Sequence, residues 1–223
     1  MVVRAMAEQT RVVAPREPVF RTGESHDHVY RVQSGWVARS RNVGEGRQQI
    51  LAVFLPGDIF GVECMLLARQ PEAIEALSVA SVNHVDAGQL RRLAASDPAV
   101  ALRLMFQLGE DERRLHNWVI GLARGDAEAR IAAMLLDFWR RLRHRGLVTH
   151  DSFTLPMTQQ QIGDYTGLTV VHVNRVLRRL REAQLATVRH GSAALHDIQG
   201  LRAMSRELLD IYENDAPNET AEA

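Results

Sequence analysis

The chain has 223 residues, of which 46% are hydrophobic, and its 27 basic residues, all of them arginine, are balanced by 27 acidic residues. This length allows one large or two small domains, and the longest apolar stretches, such as residues 50–55, are too short to cross a membrane. The single cysteine, Cys64, excludes an internal disulfide and any cysteine-rich metal centre, and since the N-terminus shows no signal-peptide core we expect a cytoplasmic protein.

Residues 19–89 have the composition and spacing of several short β-strands. Runs rich in β-branched and aromatic residues lie at 29–32, 36–39 and 48–55, and the segment 74–85 supplies one or two further strands. Many short strands separated by glycine- and proline-containing turns are typical of a compact barrel or roll. We therefore predict a β-roll in the N-terminal part of the chain.

A long helix is predicted after this region, because Asp97 can cap it and Pro98 suits its first turn. Large apolar residues recur along it at a spacing of about 3.5 residues, which is typical of a short coiled coil. The seam that we predict to pair two chains consists of Leu104, Leu108, Leu115, Trp118 and Leu122. The alternative is a helix that packs only on its own domain.

Two glycines, Gly121 and Gly125, lie on either side of the last seam residue and loosen the chain, and Asp126 can cap a new helix, so we place a domain boundary there. The predicted organisation is a sensor domain at 1–95, a dimerisation helix and hinge at 96–125, a C-terminal domain at 126–213 and a disordered tail at 214–223.

Residues 158–180 have the pattern of a helix, a tight turn and a second helix. Thr158 can cap the first helix, with Gln161 three residues later completing a capping box. Gly167 can end that helix and Thr169 can cap the next. Gly163 supplies the small residue that two crossing helices need at their closest approach. The segment therefore predicts a helix-turn-helix.

The second helix of this motif has two different faces. Its apolar stripe, with the spacing i, i+3, i+4, i+7, consists of Val173, Val176, Leu177 and Leu180. The opposite face repeats that spacing with Val171, Asn174, Arg175 and Arg178. An arginine can bridge guanine, an amide can bridge adenine and an apolar group can contact the thymine methyl, so this face suits the major groove of DNA. The alternative is a helical hairpin whose arginines are only solvated.

Residues 185–196 predict two short strands around a His-Gly-Ser turn, and a hairpin placed directly after a recognition helix is a wing. We expect Arg189 and His190 at its tip to contact the phosphate backbone, the alternative being a hairpin that only packs. Residues 200–213 predict a final amphipathic helix.

The order and spacing of these segments resemble the CRP/FNR transcription regulators over nearly the whole chain. FRTGES, HVYRVQSGWVARSR and GRQQILAVFLPGDIFGVE are similar to the family's sensor domain, particularly in its FNR and FixK branch. GDAEARIAAMLLDF and LPMTQQQIGDYTGLTVVHVNRVLRRLREAQL are similar to its DNA-binding domain. The resemblance implies an α+β chain with an N-terminal β-roll of the cyclic-nucleotide-binding, jelly-roll type, a long dimerisation helix and a C-terminal winged helix-turn-helix.

The resemblance also implies roles for particular residues. The arginine that reads guanine in this family maps onto Arg175, whereas the acid and the serine of the FNR pattern are replaced by Val171 and Asn174. Valine cannot accept a hydrogen bond from cytosine, so we expect a changed half-site that keeps a G·C pair under Arg175 and has a thymine methyl near Val171. The positions that touch phosphates in the family are Thr158, Gln160, Thr169 and His172.

The sensor chemistry of the family carries over less well. Cyclic-nucleotide-binding members hold the phosphate with an Arg-Ser or Arg-Thr pair, but residues 70–73 read Gln-Pro-Glu-Ala, so we expect cyclic AMP not to bind. The four cysteines that the FNR iron–sulfur cluster requires are also missing. Three alternatives stay open: haem held by His84 or His116, a thiol sensor at Cys64, and control without any ligand. Each of these residues could equally have an ordinary structural role.

These observations favour a sequence-specific dimeric regulator that binds near-palindromic DNA, with half-sites about one helical turn apart and a signal received by the β-roll. RNA polymerase is an open further partner. The alternative function is a ligand- or haem-binding sensor module whose C-terminal domain serves protein interaction. The sequence has no P-loop, nucleophile elbow, metal-ligand cluster or convincing carboxylate pair, so we expect neither an enzyme nor a metal site.

Overall fold

The structure is a computed structural model that describes residues 9–44, 46–67, 69–70, 72–205 and 208. The chain divides into two compact units, Met1–Glu112 and Arg113–Ala223. Among the described residues, no helix combines the length and the apolar character needed to span a lipid bilayer.

The first unit is built from short antiparallel strands in two four-stranded sheets. Its described strands are β1 (Thr10–Val13), β2 (Pro18–Phe20), β3 (His28–Ser34), β4 (Val37–Asn42), β5 (Gln48–Phe54), β6 (Ile59–Phe60), β7 (Ala73–Ala76) and β8 (Ala80–Asp86). The order of hydrogen-bonded neighbours is β1-β8-β3-β6 in one sheet and β2-β7-β4-β5 in the other. Both sheets pair strands that are distant in sequence, so the predicted β-roll is confirmed.

The two sheets enclose one apolar core. Phe54 and Ile74 from one sheet and Val32, Phe60 and Val82 from the other belong to the same buried cluster. Strands β3, β7 and β8 each contribute two alternate side chains to this core, because successive residues of a strand point to opposite faces. The segment predicted to supply one or two strands supplies both β7 and β8, whereas β1 begins before the predicted strand region.

Helix α1 (Ala87–Ser96) was not predicted, because the sequence analysis extended the strands as far as residue 89. The Asp86 carboxylate accepts a hydrogen bond from the Gln89 amide at 2.7 Å and thereby begins the helix. Ala87 and Leu90 of α1 are buried, and Leu93 and Ala94 are partly buried against the same cluster as Leu90. A short 3₁₀ helix at Val62–Met65 was also not predicted.

Helix α2 (Pro98–Arg124) begins where the sequence predicts, since the Asp97 carboxylate accepts a hydrogen bond from the Ala99 amide at 3.0 Å. It runs without a break through Gly121, so this glycine does not interrupt the helix. Near its start, Leu104 is 6% exposed and packs in a buried cluster with other residues of the first unit. The prediction that Leu104 belongs to the pairing seam is therefore wrong, because this side chain fills the core of its own unit.

The second unit combines helices with a small sheet. Its described elements beyond α2 are α3 (Ala127–Arg143), β9 (Ser152–Thr154), α4 (Gln159–Thr166), α5 (Val170–Glu182), β10 (Ala186–Arg189), β11 (Ser192–Leu195) and α6 (Ile198–Met204). The sheet order is β10-β11-β9. The pair α4 and α5 is the predicted helix-turn-helix, and β10 and β11 are the two strands of the predicted wing, to which β9 adds an unpredicted third strand.

Helix α6 is the beginning of the predicted final helix. It covers Ile198–Met204, and Ser205 and Leu208 are also described. Residues 206, 207 and 209–213 of the helix predicted at 200–213, and the disordered tail predicted at 214–223, lie outside the described residues.

Helices α4 and α5 meet at Gly163. A Cβ atom at this position would lie 2.5 Å from the carbonyl oxygen of Leu168 and 3.7 Å from Cγ2 of Val173. The turn between the helices depends on Gly167, which ends α4 with a φ of 70°, in the left-handed region that glycine adopts without strain. The buried hydroxyl of Thr166 donates to the Ile162 carbonyl at 2.7 Å, so a polar residue is accommodated inside the motif.

We expect Gly163→Ala to lower the free energy of unfolding by about 1–3 kcal/mol, because the added methyl meets backbone that cannot move aside independently. The matched control is Gly121→Ala in α2, where a Cβ would make an ordinary 3.8 Å contact with Leu208. That control should be neutral or stabilising, since alanine is the better helix former. Urea denaturation of both variants measures the difference, and equal stabilities would contradict the close approach at Gly163.

Candidate nucleic-acid interface

The helix-turn-helix is fixed by local hydrogen bonds at the start of each helix. The Thr158 hydroxyl accepts from the Gln161 amide at 3.2 Å, and the Gln161 side-chain oxygen accepts from the Thr158 amide at 2.8 Å. The predicted capping box is thus confirmed. Thr169 caps α5 by accepting from the His172 amide at 3.3 Å. The first turns of α4 and α5 are therefore well defined in position and direction.

The two predicted faces of α5 are confirmed. The apolar stripe at Val173, Val176, Leu177 and Leu180 is buried. On the opposite face, Val171 is 67% exposed, and Asn174, Arg175 and Arg178 are exposed as well. The amphipathic pattern of α5 therefore separates a face that holds the helix on the unit from a face that can contact a partner.

The arginines of α5 differ in what they contact. Arg179 pairs with Glu128 of α3 at 2.5 Å, and Arg178 lies 3.6 Å from Glu182 on its own helix. Within the part of the chain that the structure describes, Arg175 makes no hydrogen bond or ion pair. Arg179 thus stabilises the unit, whereas the guanidinium of Arg175 has its donors available for an external acceptor.

Asn174 has a partner that the sequence analysis did not identify. Its Nδ2 donates to Oε1 of Gln159, the first residue of α4, at 3.3 Å. The bond uses one of the two amide protons of Asn174 and leaves the other proton and Oδ1 exposed. Nothing in the residue pattern signals it, because 15 positions separate the two residues and only the crossing of the helices brings them together.

The predicted phosphate contacts are exposed residues near the starts of α4 and α5. The unsatisfied N–H groups of a helix N-terminus make it a favourable position for an anion. Gln160 bonds Asp164 at 2.6 Å, and the ring of His172 lies 3.0 Å from the Thr169 hydroxyl. The caps Thr158 and Thr169 are exposed in the same way.

The wing tip has the backbone of a tight hairpin. His190 and Gly191 have φ values of 52° and 73°, and positive φ at both central residues is the requirement of a type I′ turn. Arg189 and His190 are exposed at this tip. The turn therefore presents both predicted phosphate-contacting side chains to solvent.

Two residues that we predicted for the pairing seam, Trp118 and Leu122, also contact other elements of their own unit. The indole nitrogen of Trp118 donates to the Tyr165 carbonyl at 2.7 Å. A Cβ on Gly167 would lie only 2.8 Å from Cδ2 of Leu122. Both side chains are only partly buried, so their place in the pairing seam stays a prediction. Leu108 and Leu115 remain exposed on α2, at 39% and 47%.

Arg130 is a second residue of structural importance that the sequence did not signal. Its guanidinium donates to the carbonyl oxygens of Gly125 at 2.8 Å, Leu122 at 3.1 Å and Thr166 at 3.4 Å. It therefore joins the last turn of α2 to the end of α4. With the Trp118 hydrogen bond, it fixes the end of α2 against the first helix of the helix-turn-helix.

Several residues of the first unit that we considered for ligand binding make contacts within that unit. Glu72 points its carboxylate at Arg41, 2.6 Å away, in the segment aligned with the phosphate-binding pair of cyclic-nucleotide receptors. His84 packs edge-on against His28 with ring centroids 5.0 Å apart, and burial lowers the pKa of its imidazole. Burial likewise raises the pKa of the Cys64 thiol to about 11, which leaves little reactive thiolate at neutral pH.

Comparison with known proteins agrees with this arrangement. The model of the cyclic nucleotide-binding domain matches residues 10–97, and that of the Crp-like helix-turn-helix domain matches residues 129–204. The transcriptional activator protein Anr of Pseudomonas protegens is 30% identical over 81% of this chain and 73% of its own length. The anaerobic regulatory protein of Haemophilus influenzae is 27% identical over 87% of this chain and 75% of its own length.

Solved structures show the same relationship. The structure of FixK2 from Bradyrhizobium japonicum superposes with a TM-score of 0.81 and 30% sequence identity, covering 88% of this chain and 96% of that one. Both domain matches, the relatives and the fold agree with the resemblance drawn from the sequence motifs. The chain therefore belongs to the CRP/FNR family of DNA-binding transcription regulators, and it is not an enzyme.

Proposed function

We propose that this regulator binds a near-palindromic DNA site as a dimer and reads each half-site with the exposed face of α5. The observation that carries the proposal is the guanidinium of Arg175, which has no partner among the described residues and lies on one face with Val171 and Asn174, opposite the buried stripe. Arg175 would bridge O6 and N7 of a guanine, Asn174 would bridge an adenine, and Val171 would contact a thymine methyl. Because its partner is chromosomal DNA, we expect the protein to act in the cytoplasm.

The surrounding groups would position α5 without reading sequence. The caps Thr158 and Thr169 lie at helix N-termini, where the partial positive charge favours a phosphate. Gln160 and His172 lie in the same first turns, and the wing adds Arg189 and His190. Contacts of this kind set register and orientation on the duplex, whereas base-edge contacts set specificity.

Arg175→Ala should cost roughly 1–3 kcal/mol of binding free energy on the preferred site and flatten the preference at one base pair. The comparison variant is Arg189→Ala, which should weaken binding to all sequences about equally and reduce the dependence on salt concentration. Competition binding against a library randomised in the half-site separates these effects. A uniform loss for Arg175→Ala would show that this residue does not read a base.

The bond between Gln159 and Asn174 would hold the amide in the orientation that adenine requires, with Nδ2 donating and Oδ1 accepting. We expect Gln159→Leu to weaken the preference for adenine at the Asn174 position, because the released amide can turn over. In an Asn174→Ala background the same change should no longer affect base preference, and a double-mutant cycle measures this coupling.

Gln160→Leu is the control for this cycle, since Gln160 bonds Asp164 instead of Asn174. It should lower affinity for all sequences alike. If Gln159→Leu also lowers affinity uniformly, Gln159 acts as a phosphate contact and not as a positioning residue for Asn174.

The dimer would form through exposed apolar residues of α2. Leu104 is buried in its own unit, and Trp118 and Leu122 are partly buried in theirs. The exposed apolar residues of α2 that remain form a stripe with a spacing of three or four residues, in which the charged Glu112 occupies one position. It consists of Met105, Leu108, Leu115 and Val119, which are 39–67% exposed. Burying such a stripe against its copy is the usual source of stability in a short coiled coil.

Leu115→Glu should dissociate the dimer, because it places a carboxylate in the apolar stripe. Arg103→Glu is the control, since Arg103 is exposed on a different face of α2. Sedimentation equilibrium should show monomers for the first variant and dimers for the second, with DNA affinity lost only in the first. A dimeric Leu115→Glu protein would place the interface elsewhere.

A further inference from the structure

His26 belongs to an aromatic cluster of the first unit. Its ring stacks on that of Phe20, with centroids 4.0 Å apart, and lies 5.9 Å from the ring of Tyr30. Phe20 and Tyr30 are buried, and His26 is partly buried. The imidazole therefore lies largely against apolar groups, which favour its neutral form over its charged form.

A hydrogen bond fixes the tautomer of this imidazole. Nδ1 of His26 lies 3.0 Å from the carbonyl oxygen of His28. Because a carbonyl oxygen only accepts, Nδ1 carries the proton and donates it. Nε2 of the neutral ring is then an unprotonated acceptor, and it is shielded from solvent without a hydrogen-bond partner among the described residues. A further proton taken up by His26 must therefore bind to Nε2.

Glu63, in the 3₁₀ helix Val62–Met65, has an acceptor for that proton. Its Oε1 pairs with the guanidinium of Arg39, whereas Oε2 is shielded from solvent and has no partner in the part of the chain that the structure describes. A Cβ atom on Gly61, the N-cap of this short helix, would lie 3.2 Å from Cε1 of His26, the ring atom between the two nitrogens. Two buried polar atoms without partners thus belong to neighbouring elements.

The charges around His26 favour Glu63 as the partner. Burial lowers the pKa of His26, whereas its bond to the His28 carbonyl and the carboxylates of Glu63 and Asp27 raise that pKa, and the His28 imidazole lowers it. Asp27 already lies 2.6 Å from the His28 ring, and its side chain is 77% exposed. The Glu63 side chain is only 26% exposed, so its attraction for a proton on His26 is screened less by solvent.

We propose that His26 and Glu63 form a proton-operated latch in the first unit. At neutral pH, Nε2 of His26 and Oε2 of Glu63 are unbonded. On acidification, Nε2 takes up a proton from solvent and donates it in a hydrogen bond to Oε2, while Oε1 keeps its pair with Arg39. The latch then joins the loop before β3 to the 3₁₀ helix and, through Arg39, to β4.

The 3₁₀ helix extends the effect of this latch to α2. Val62, next to Glu63, lies in the buried cluster that also contains Val100 and Leu104 of α2. Close-packed side chains transmit small displacements, because little empty space separates them. Closing the latch is therefore expected to displace the start of α2. This inference concerns the first unit alone and does not depend on the proposed DNA contacts.

Nuclear magnetic resonance of the imidazole nitrogens in the full chain tests the latch, with His26→Gln to assign the signals. At neutral pH the proton of His26 should be on Nδ1. Below the transition both nitrogens should be protonated, and the Nε2 proton should exchange slowly with water because it is bonded. Glu63→Gln should lower the pKa of His26 further, because it removes the charge that stabilises the imidazolium.

Asp27→Asn is the matched control, since it also removes a carboxylate near His26, but an exposed one that is paired with His28. It should lower the pKa of His26 by less than Glu63→Gln does. Arg39→Gln should have the opposite effect and raise the pKa of His26, because Glu63 then has no other cation beside it.

The free energy of unfolding gives a second readout that needs no assignment. Because the pKa of His26 is lowered in the folded chain, the unfolded chain takes up the proton first, so stability should fall as the pH drops below the ordinary histidine pKa of about 6.5. Urea denaturation should show a smaller fall for His26→Gln and a larger fall for Glu63→Gln than for the unaltered chain.

Four results would each overturn the proposal. The first is an equal pKa of His26 in Glu63→Gln and Asp27→Asn. The second is a neutral ring that carries its proton on Nε2. The third is an Nε2 proton that exchanges freely below the transition. The fourth is loss of strand structure, seen by far-UV circular dichroism, before His26 titrates, which would mean that the folded roll does not accept the proton.

Discussion

The close approach of α4 to α5 at Gly163 is the constraint on which the DNA-binding surface depends. With only a hydrogen atom at this position, the Leu168 carbonyl can lie against α4, and Val173 can pack beside it. Once Val173 and the rest of the apolar stripe are buried, helical periodicity leaves one direction for the remaining side chains. Arg175 is therefore exposed as a consequence of packing several ångströms away, before any DNA is present.

Local signals explain why the helix-turn-helix could be predicted so closely. Caps, a capping box and a left-handed glycine act within a few residues, so the sequence contains all the information that positions Thr158, Gly167 and Thr169. The strands of the roll were predicted for a similar reason, since β-branched runs and turns alternate along the chain. Helix α1 was missed because it follows β8 without a connecting loop, so that its capping acid, Asp86, is also the last residue of that strand.

Contacts between distant residues explain what the sequence could not provide. Periodicity shows that α2 has apolar faces, but it does not show which face meets the core of its own unit and which meets a second chain. Leu104 was assigned to the wrong surface for that reason. The residue pattern also gives no sign of the bond from Asn174 to Gln159 or of the bonds from Arg130 to three carbonyl groups. Only folding brings these residues together.

Arg130 has a consequence for how a signal could reach the DNA-binding surface. A guanidinium is planar and its donors diverge at fixed angles, so three carbonyl oxygens bound to it form a nearly rigid triangle. Two corners of that triangle belong to the end of α2 and the segment just after it, and the third belongs to Thr166, directly before the turn into α5. We therefore expect a rotation of the last turn of α2 to tilt α4 and the turn into α5, whereas a flexible lysine at this position would absorb the motion.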